Sequence, residues 1–576
     1  MRPIKRPARP PEPRTPRTPE QGGPAGSRSM TLAMQDYRLY QLLADGTLLL
    51  FMFAFGGCVG SLINVLVYRM PRGMGVVTPA SRCPACATRL TWRENIPVFG
   101  WIFLRGRCRF CKVKISPEYM LVELFCALLF VTLYLLYYTL PAQYTISIEW
   151  LGIDWQSVHP AWASNGFART WPLFVMTLIL VGSLVAMTLV DAKTFMIPLK
   201  LAWAPAIVAI LAHPAQVFLV EYRPGVWRWA MGWSYAIPTP GPLGWGWVGL
   251  SIGAVLGLGV GLLLIRAGLI RRSFEDYEQW EREAFPDTSE PKNHDCVFGA
   301  IEATTTEDEL GPPPVGDRRY IDLPRVGLFA GVVLVCAVLG GVLTPSGVIP
   351  AIGVGVGLVV GPVLAAVVGR AVFGPAGKTE DEPSDAEQAK GVGEDPELWL
   401  QYPHARREMI RELAFLAPAA LLGFLGWKLA VWYGGPWSYD QITASMVPAK
   451  EVPLWLHVIA GVFLGYLVGG AVVWAVRIAG SLAFGKEAMG LGDVHLMAAV
   501  GACLGWIHPV LAFFAAAFVA LYIEVLARVI WGGSRRAMPF GPALAIATVL
   551  LIFFRPGMET LIDAWLFGGR GAFRMP

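Results

Sequence analysis

Runs of about 20 apolar residues recur along the whole chain, and each is long enough to cross a bilayer as a helix. The first lies at roughly 47–68 and the last ends near residue 554. Of the 576 residues, 55% are hydrophobic and 15% are charged, as in multi-pass membrane proteins. We therefore predict an all-α polytopic membrane protein, a helical bundle of about 12 transmembrane helices.

Basic residues indicate which helix ends face the cytoplasm. Arg69 and Arg72 follow the first apolar run, and Arg271 and Arg272 follow a later one. By the positive-inside rule these ends are cytoplasmic, and the basic clusters then alternate correctly along the chain. This topology accounts for the positive charge, so nothing supports nucleic-acid binding and the expected partner is a lipid bilayer.

Composition divides the chain into segments. Residues 1–46 are a Pro/Arg-rich tail and lead-in, expected to be disordered. Because the charge of that tail conflicts with the topology, Met30 and Met34 are candidate start residues.

The remaining predicted segments are a first transmembrane helix at 47–68, a cytoplasmic four-Cys loop at 69–118, a first bundle region at 119–270, an insertion at 271–452, a second bundle region at 453–556 and a C-terminal tail at 557–576. The insertion combines acidic loops with extra apolar runs and has no recognisable chemical pattern.

Four cysteines of the polar loop form two C-x-x-C pairs, Cys83 with Cys86 and Cys108 with Cys111. Two such pairs about 20 residues apart match the spacing of structural zinc sites. Disulfides or a redox pair are the alternatives, and a cytoplasmic loop disfavours disulfides. We predict a small zinc-binding loop domain in which four thiolates close the coordination shell, so that Zn²⁺ folds the loop without catalysing a reaction.

Two acids stand at the ends of apolar runs. Asp191 ends the run at 171–190, where a carboxylate opposes the helix dipole, and Asp493 belongs to a Gly-x-Gly-Asp motif that opens another run. An acid at a membrane edge indicates function, and both acids fall on the predicted cytoplasmic side. Two neighbouring carboxylates cannot both ionise easily, which suits the activation of a water between them. Gly490 and Gly492 would let the backbone approach a peptide closely.

These motifs resemble those of the prepilin peptidases, the type IV leader peptidase family of membrane aspartic proteases. The resemblance covers about 55–130, 180–215 and 455–550. The residues that carry it are Gly60 to Val65, Tyr68 to Gly73, Ser81 to Cys86, Trp92, Asn95 to Val98, Leu104 to Cys111, Ile115 to Pro117, Leu121 to Leu124, Asp191, Ile197-Pro198, Gly490 to Asp493, Gly501, Leu504 to Trp506 and Pro539 to Pro542.

The resemblance implies cleavage of the short basic leader of prepilins or pseudopilins at the cytoplasmic face of the bacterial inner membrane. It implies that Asp191 and Asp493 are catalytic, with motif support from Gly490, Gly492, Ile197 and Pro198. It also implies methylation of the new N-terminus with S-adenosylmethionine, because the paired-cysteine loop accompanies that activity. The oligomeric state is not predicted.

The chain departs from the family pattern at two positions, where His495 stands in place of a Lys and Leu199 in place of an Asp. The insertion is also unusual, and it could dock a partner or be inert. Glu123 is catalytic, pairs within the bundle or simply lies at the membrane interface. Two alternatives to a protease are an inactive membrane scaffold of a pilus or type II secretion assembly and an ion-coupled transporter. A transporter would place its acids nearer the bilayer midplane and would contain inverted repeats.

Overall fold

The computed structural model describes residues 24–78, 80–83, 85–139, 147–148, 153–154, 160–194, 196–221, 244–274, 405–440, 445–450, 452–484, 488–531 and 540–566. These residues are almost entirely helical, as predicted. The helices are α1 (Pro24–Arg69), α2 (Phe99–Phe103), α3 (Pro117–Tyr134), α4 (Phe167–Thr194), α5 (Leu199–Glu221), α6 (Trp245–Arg266), α7 (Ala405–Gly434), α8 (Leu454–Phe484), α9 (Leu491–Leu504), α10 (Ile507–Trp531), α11 (Phe540–Phe553) and α12 (Arg555–Leu566).

Short elements extend or connect these helices. A 3₁₀ turn at Met70–Arg72 follows α1, a π turn at Leu135–Thr139 follows α3, and a 3₁₀ turn at Ala161–Asn165 precedes α4. Two antiparallel hairpins lie in the connections. In the first, β1 (Ser147–Ile148) pairs with β2 (Ile153–Asp154), with Ser147 opposite Asp154. In the second, β3 (Trp437–Asp440) pairs with β4 (Ser445–Pro448), with Trp437 opposite Pro448.

Eight of the described helices are long and apolar enough to cross a membrane. Two more, α9 and α11, are apolar but shorter. These helices confirm the prediction of a multi-pass membrane protein. The predicted spans at 326–343 and 348–368 lie outside the described residues, so the total of about 12 spans stays a prediction.

Two helices extend into the predicted tails. Helix α1 begins at Pro24, within the predicted N-terminal tail and lead-in. Good helix formers such as Leu, Ala, Met and Gln follow Met30 and extend the helix from its apolar part. The predicted C-terminal tail contains most of α12, in which Arg555 Nε lies 2.9 Å from Glu559 Oε1 one turn away.

Contacts divide the chain into two units, Met1–Phe51 and Met52–Pro576, and every candidate site residue lies in the second. The centre of that second unit is formed by α4, α9 and α11. Leu180 and Met187 of α4, Leu496 and Met497 of α9 and Leu544 of α11 are completely buried. The two helices that carry the acids therefore pack in the middle of the bundle.

Helices α8 and α9 pack with their backbones in contact. A Cβ atom on Gly465 would overlap the carbonyl oxygen of Gly501, and a Cβ atom on Gly501 would overlap the carbonyl oxygen of Gly465. One turn along α8, a Cβ atom on Gly469 would overlap the carbonyl oxygen of Met497. Small residues four positions apart allow such close helix packing in membranes. The position of α9, and of its acid, is thus set by α8.

Helix α7, from the predicted insertion, packs along α6. Cβ atoms on Gly249, Gly253 and Gly257 would overlap the carbonyl oxygens of Gly426, Leu422 and Pro418, respectively. The same spacing of four residues lets these two helices approach closely. Part of the predicted insertion is therefore integrated into the helical bundle.

Candidate functional site

The structure brings Asp191 and Asp493 together, although they are far apart in the sequence. Asp191 lies in the last turn of α4, and Asp493 lies in the first turn of α9. Their side chains are 6% and 8% exposed, respectively, and the two carboxyl groups are close enough to interact electrostatically. Both predicted site acids are thus buried and lie within electrostatic range of each other.

Ile197 and two glycines surround the acid pair. A Cβ atom on Gly541, in the first turn of α11, would lie 2.5 Å from Oδ2 of Asp191 and 3.1 Å from Cδ1 of Ile197. A Cβ atom on Gly492 would lie 2.7 Å from Cβ of Ile197. Both glycines therefore leave space that a larger residue would take from the site. Ile197 links the α4–α5 connection to the starts of α9 and α11.

The position of Asp493 at the start of α9 stabilises a negative charge on its carboxyl group. The backbone of Gly490 interacts with the Asp493 carboxylate, and the positive end of the helix dipole favours a negative charge there. Gly490 is the N-cap residue in an extended conformation, and a Cβ atom on it would make only ordinary contact, 3.8 Å from Asp493 Oδ2. A side chain would therefore fit at Gly490, whereas at Gly492 it would overlap Ile197.

The remaining motif residues contact groups other than the acids. The carbonyl of Pro198 accepts a 3.0 Å hydrogen bond from the N–H of Leu201 and so starts α5. Lys193 forms an ion pair with Glu118 at the start of α3. The ring of His495 lies 6.4 Å from the ring of Trp203. The charge of Lys193, two residues after Asp191, is therefore paired with Glu118 and not with Asp191 or Asp493.

A buried ionic network beside Asp493 was missed by the sequence analysis. Glu412 of α7 and Arg477 of α8 are 3% and 1% exposed, and the distance from Arg477 Nε to Glu412 Oε1 is 2.9 Å. Arg477 also donates a hydrogen bond to the carbonyl of Met489, immediately before Gly490. Glu412 thus lies within 271–452, where the sequence itself shows no recognisable chemical pattern. The available signal was Arg477 at the end of an apolar run, which was interpreted only as a marker of topology.

The four loop cysteines converge as predicted. Their Sγ atoms all lie within 4.8 Å of one another, and the Sγ atoms of Cys83 and Cys111 are 3.8 Å apart. Tetrahedral zinc with Zn–S bonds of about 2.3 Å requires sulfur separations of about 3.8 Å. All four are free thiols, so disulfides are not formed among them. The donor set and its dimensions fit a metal ion of the zinc type.

The two C-x-x-C pairs have the same local geometry. In each, the N–H of the first cysteine donates to the carbonyl five residues later, at 3.0 and 2.9 Å, respectively. The residue after the second cysteine is Ala87 in one pair and Lys112 in the other, with φ of 53° and 60°. Hydrogen bonding to Thr88 lowers the pKa of the Cys86 thiol to about 6, which favours the metal-binding thiolate. Two matching turns thus present two thiols each.

Glu123 connects this cysteine loop to α3. The backbone N–H of Val98 donates a 2.7 Å hydrogen bond to Oε2 of Glu123. Val98 itself has φ of 63°, an unusual conformation for a β-branched residue. This contact favours the interpretation that Glu123 pairs within the protein.

Two regions of the chain match known domain families. Residues 54–137 match the Bacterial Peptidase A24 N-terminal domain, which includes the four cysteines. Residues 420–525 match the Type IV leader peptidase family. The second match includes Asp493 and begins within α7, whereas Asp191 lies outside both matches. No solved structure matches the chain.

Curated relatives are similar over parts of their length. A protein named prepilin leader peptidase/N-methyltransferase from Myxococcus xanthus is 52% identical over 80 residues, 14% of this chain and 24% of that protein. One of the same name from Klebsiella pneumoniae is 44% identical over 87 residues, 14% of this chain and 38% of that protein. Another from Pectobacterium carotovorum is 28% identical over 173 residues, 26% of this chain and 51% of that protein.

The chain thus spans between 24% and 51% of the length of these relatives. The matched regions nevertheless contain both the cysteine loop and the Gly-x-Gly-Asp motif, and they agree with the resemblance seen in the sequence. These two regions of the chain are therefore similar to the domains of the type IV leader peptidase family.

Proposed function

We propose that this protein is a prepilin peptidase, an aspartic endopeptidase that removes the basic leader of prepilins or pseudopilins. The observation that carries the proposal is the buried pairing of Asp191 with Asp493 at converging helix ends. Its place is the cytoplasmic face of the bacterial inner membrane, in agreement with the basic residues that flank the apolar helices. The match to the Type IV leader peptidase family and the names of the relatives support the same substrates.

The proposed reaction uses the two acids in opposite protonation states. One carboxylate takes a proton from a water molecule, whose oxygen attacks the carbonyl carbon of the scissile peptide bond. The other, as a carboxylic acid, first donates a hydrogen bond to the carbonyl oxygen and so polarises it. As the carbon–nitrogen bond breaks, a proton moves from the acid pair to the leaving amine. The proposed mechanism requires one proton on the pair of acids before the water attacks, and that proton belongs to the pair and not to one residue.

The proposed roles of the neighbouring residues follow from their contacts. Ile197, with Pro198 after it, fixes the connection between α4 and α5 against the start of α9. Gly492 and Gly541 keep the space beside the acids free, and the backbone of Gly490 holds the Asp493 carboxylate. A leader peptide in extended conformation would use this space at the converging helix ends.

The proposed metal ligands are Cys83, Cys86, Cys108 and Cys111, which would hold one Zn²⁺ ion in a closed tetrahedron. The ion would supply folding free energy to the cysteine loop and no open coordination position. The loop in turn contacts α3 through Val98 and Glu123.

N-methylation of the new N-terminus is a second proposed activity. Support comes from the match to the bacterial N-terminal domain and from the names of the relatives, which include N-methyltransferase. S-adenosylmethionine is the proposed methyl donor, and none of the described residues is assigned to its binding.

The function is tested by co-expressing the full chain with a prepilin from the same genome and measuring the mass of the pilin. Loss of the leader mass, with a new N-terminus after the leader, is expected. A further gain of one methyl group would establish the second activity. An unprocessed prepilin beside a stably inserted protein would overturn the peptidase proposal and favour the scaffold alternative.

Gly541→Ala is expected to lower the rate of leader cleavage by about 100-fold, because the added methyl group displaces the Asp191 carboxylate. The measurement is the initial cleavage rate in membranes, normalised to the amount of inserted protein. Gly259→Ala is the matched control, since a Cβ atom on this helical glycine meets nothing within 4 Å. Wild-type activity of Gly541→Ala would show that the contact with Asp191 has no role in cleavage.

A further inference from the structure

Two oppositely charged side chains are buried where α7 meets α8. Glu412 and Arg477 are 3% and 1% exposed. Removing charges from water is costly unless they are paired and hydrogen-bonded, and the cost is particularly high in a membrane protein. The contacts of these side chains show which parts of the protein they hold in place.

Both oxygens of Glu412 are used. Oε1 accepts hydrogen bonds from Arg477 Nε at 2.9 Å and from the Ser273 hydroxyl at 3.0 Å. Oε2 accepts a 2.7 Å hydrogen bond from the indole N–H of Trp474. Glu412 therefore has one orientation, and through it α7 fixes the guanidinium group of α8.

Arg477 carries this connection to the catalytic loop. Besides Glu412, its guanidinium group binds the carbonyl oxygen of Met489 and lies 5.1 Å from the ring centroid of Phe274. Met489 directly precedes Gly490, whose backbone interacts with the Asp493 carboxylate. The positive charge of Arg477 also attracts Asp493 electrostatically. A continuous chain of contacts thus runs from α7 to one of the two acids.

We propose that Glu412 and Arg477 are positioning residues for Asp493. Glu412 orients the guanidinium group, and Arg477 holds the Met489 carbonyl and with it the first turn of α9. Helix α7, although it lies in the predicted insertion, is by this inference a working part of the active site. The inference rests on the proposed function in one respect, namely that Asp493 is catalytic.

A purely structural ion pair would have different consequences. Its loss would lower the stability of the whole protein, and the surviving folded molecules would cleave normally. Loss of a positioning pair would leave substrate binding unchanged and slow the chemical step, so kcat would fall while KM stayed constant. It would also loosen the backbone of residues 488–493 locally.

The experiment compares Glu412→Gln and Arg477→Gln with wild type, using the purified full-length protein in detergent micelles. Glu408→Gln is the matched control. It removes a buried carboxylate one turn away on α7, whose hydrogen bonds go to Arg411 and to the N–H of Phe274. Cleavage of a purified prepilin gives kcat and KM, and hydrogen exchange with mass spectrometry reports on residues 488–493.

Both variants are expected to lose about 100-fold in kcat, with KM changed by less than about twofold, and to exchange faster at 488–493. Glu408→Gln is expected to keep wild-type kinetics and exchange. If Arg477→Gln does not accumulate, Arg477→Lys replaces it. A Lys keeps the charge but cannot bind Glu412 and Met489 in two fixed directions, so the same loss in kcat is expected.

The inference is overturned if Glu412→Gln keeps the wild-type kcat, if Glu408→Gln loses as much, or if exchange at 488–493 is unchanged. A wild-type protein that cleaves no prepilin would count against the proposed function alone. Hydrogen exchange needs no substrate, so faster exchange in Glu412→Gln but not in Glu408→Gln would still support the positioning of the loop.

Discussion

Asp191→Asn and Asp493→Asn are each expected to abolish leader cleavage while the protein remains inserted in the membrane. An amide has nearly the size and shape of a carboxyl group, so the packing around α4 and α9 should be preserved. It cannot take a proton from water or give one to the leaving amine at neutral pH. We expect a loss of about 10⁴-fold in rate, the upper end of the contribution of a general acid or base.

The measurement is prepilin processing in isolated membranes, with equal amounts of inserted protein. Glu524→Gln is the control, because this acid of α10 pairs with Arg528, 2.9 Å away within its own helix, and lies outside the acid pair. It should process at the wild-type rate. Normal processing by either Asn variant would remove that residue from the mechanism.

The double variant gives a second measure of the pairing. Groups that act as a unit are not additive, so Asp191→Asn combined with Asp493→Asn should be no slower than either single variant. Two independent losses that multiply would mean that the acids serve separate steps.

The convergence of the acids was predictable because it follows from topology. Charged loops indicated that Asp191 and Asp493 face the same side of the membrane, and a bundle brings helix ends on one side near each other. The cysteine cluster was predictable for a different reason. Two C-x-x-C pairs are each a local structure, and only the spacing between them has to be compatible with one metal ion.

The Glu412–Arg477 pair was not predictable by either route. It joins two helices through side chains, and which faces of α7 and α8 meet depends on packing along their whole length. The glycines of α6 allow α7 to approach closely. The composition of a glycine-rich apolar helix does not, however, indicate which neighbouring helix it packs against. An Arg after an apolar run is also ambiguous, since it marks a cytoplasmic end whether it is solvated or buried.

The role of Gly541 was only partly predictable from the sequence. The motif around it was visible in the sequence, whereas its contact with Asp191 required α11 to start beside the end of α4. A small residue can be needed for a turn, for close packing or for access, and the sequence does not distinguish these reasons. The structure does so through one distance, from the position of a Cβ atom to a carboxylate oxygen.

Cys83→Ser is expected to remove zinc from the protein and to unfold the cysteine loop, while any residual cleavage keeps its chemistry. Structural zinc sites supply about 10–16 kcal/mol of folding free energy in zinc-finger peptides, more than a loop with a small apolar core can replace. Metal analysis should give about one zinc per wild-type chain and far less in the variant. Limited proteolysis should then cut within residues 69–118.

The matched control for Cys83→Ser is Cys58→Ser, which removes an exposed thiol outside the cluster and should leave the zinc content unchanged. Zinc content equal to wild type in Cys83→Ser would contradict the metal site. Loss of zinc with an intact loop would instead mean that the hydrogen bonds of the two C-x-x-C turns, and the contact of Val98 with Glu123, are enough to fold it. Asp191 and Asp493 lie outside the cysteine loop. Slower cleavage after zinc loss would therefore arise from displacement of the loop, whereas loss of either acid would remove the proton transfer itself.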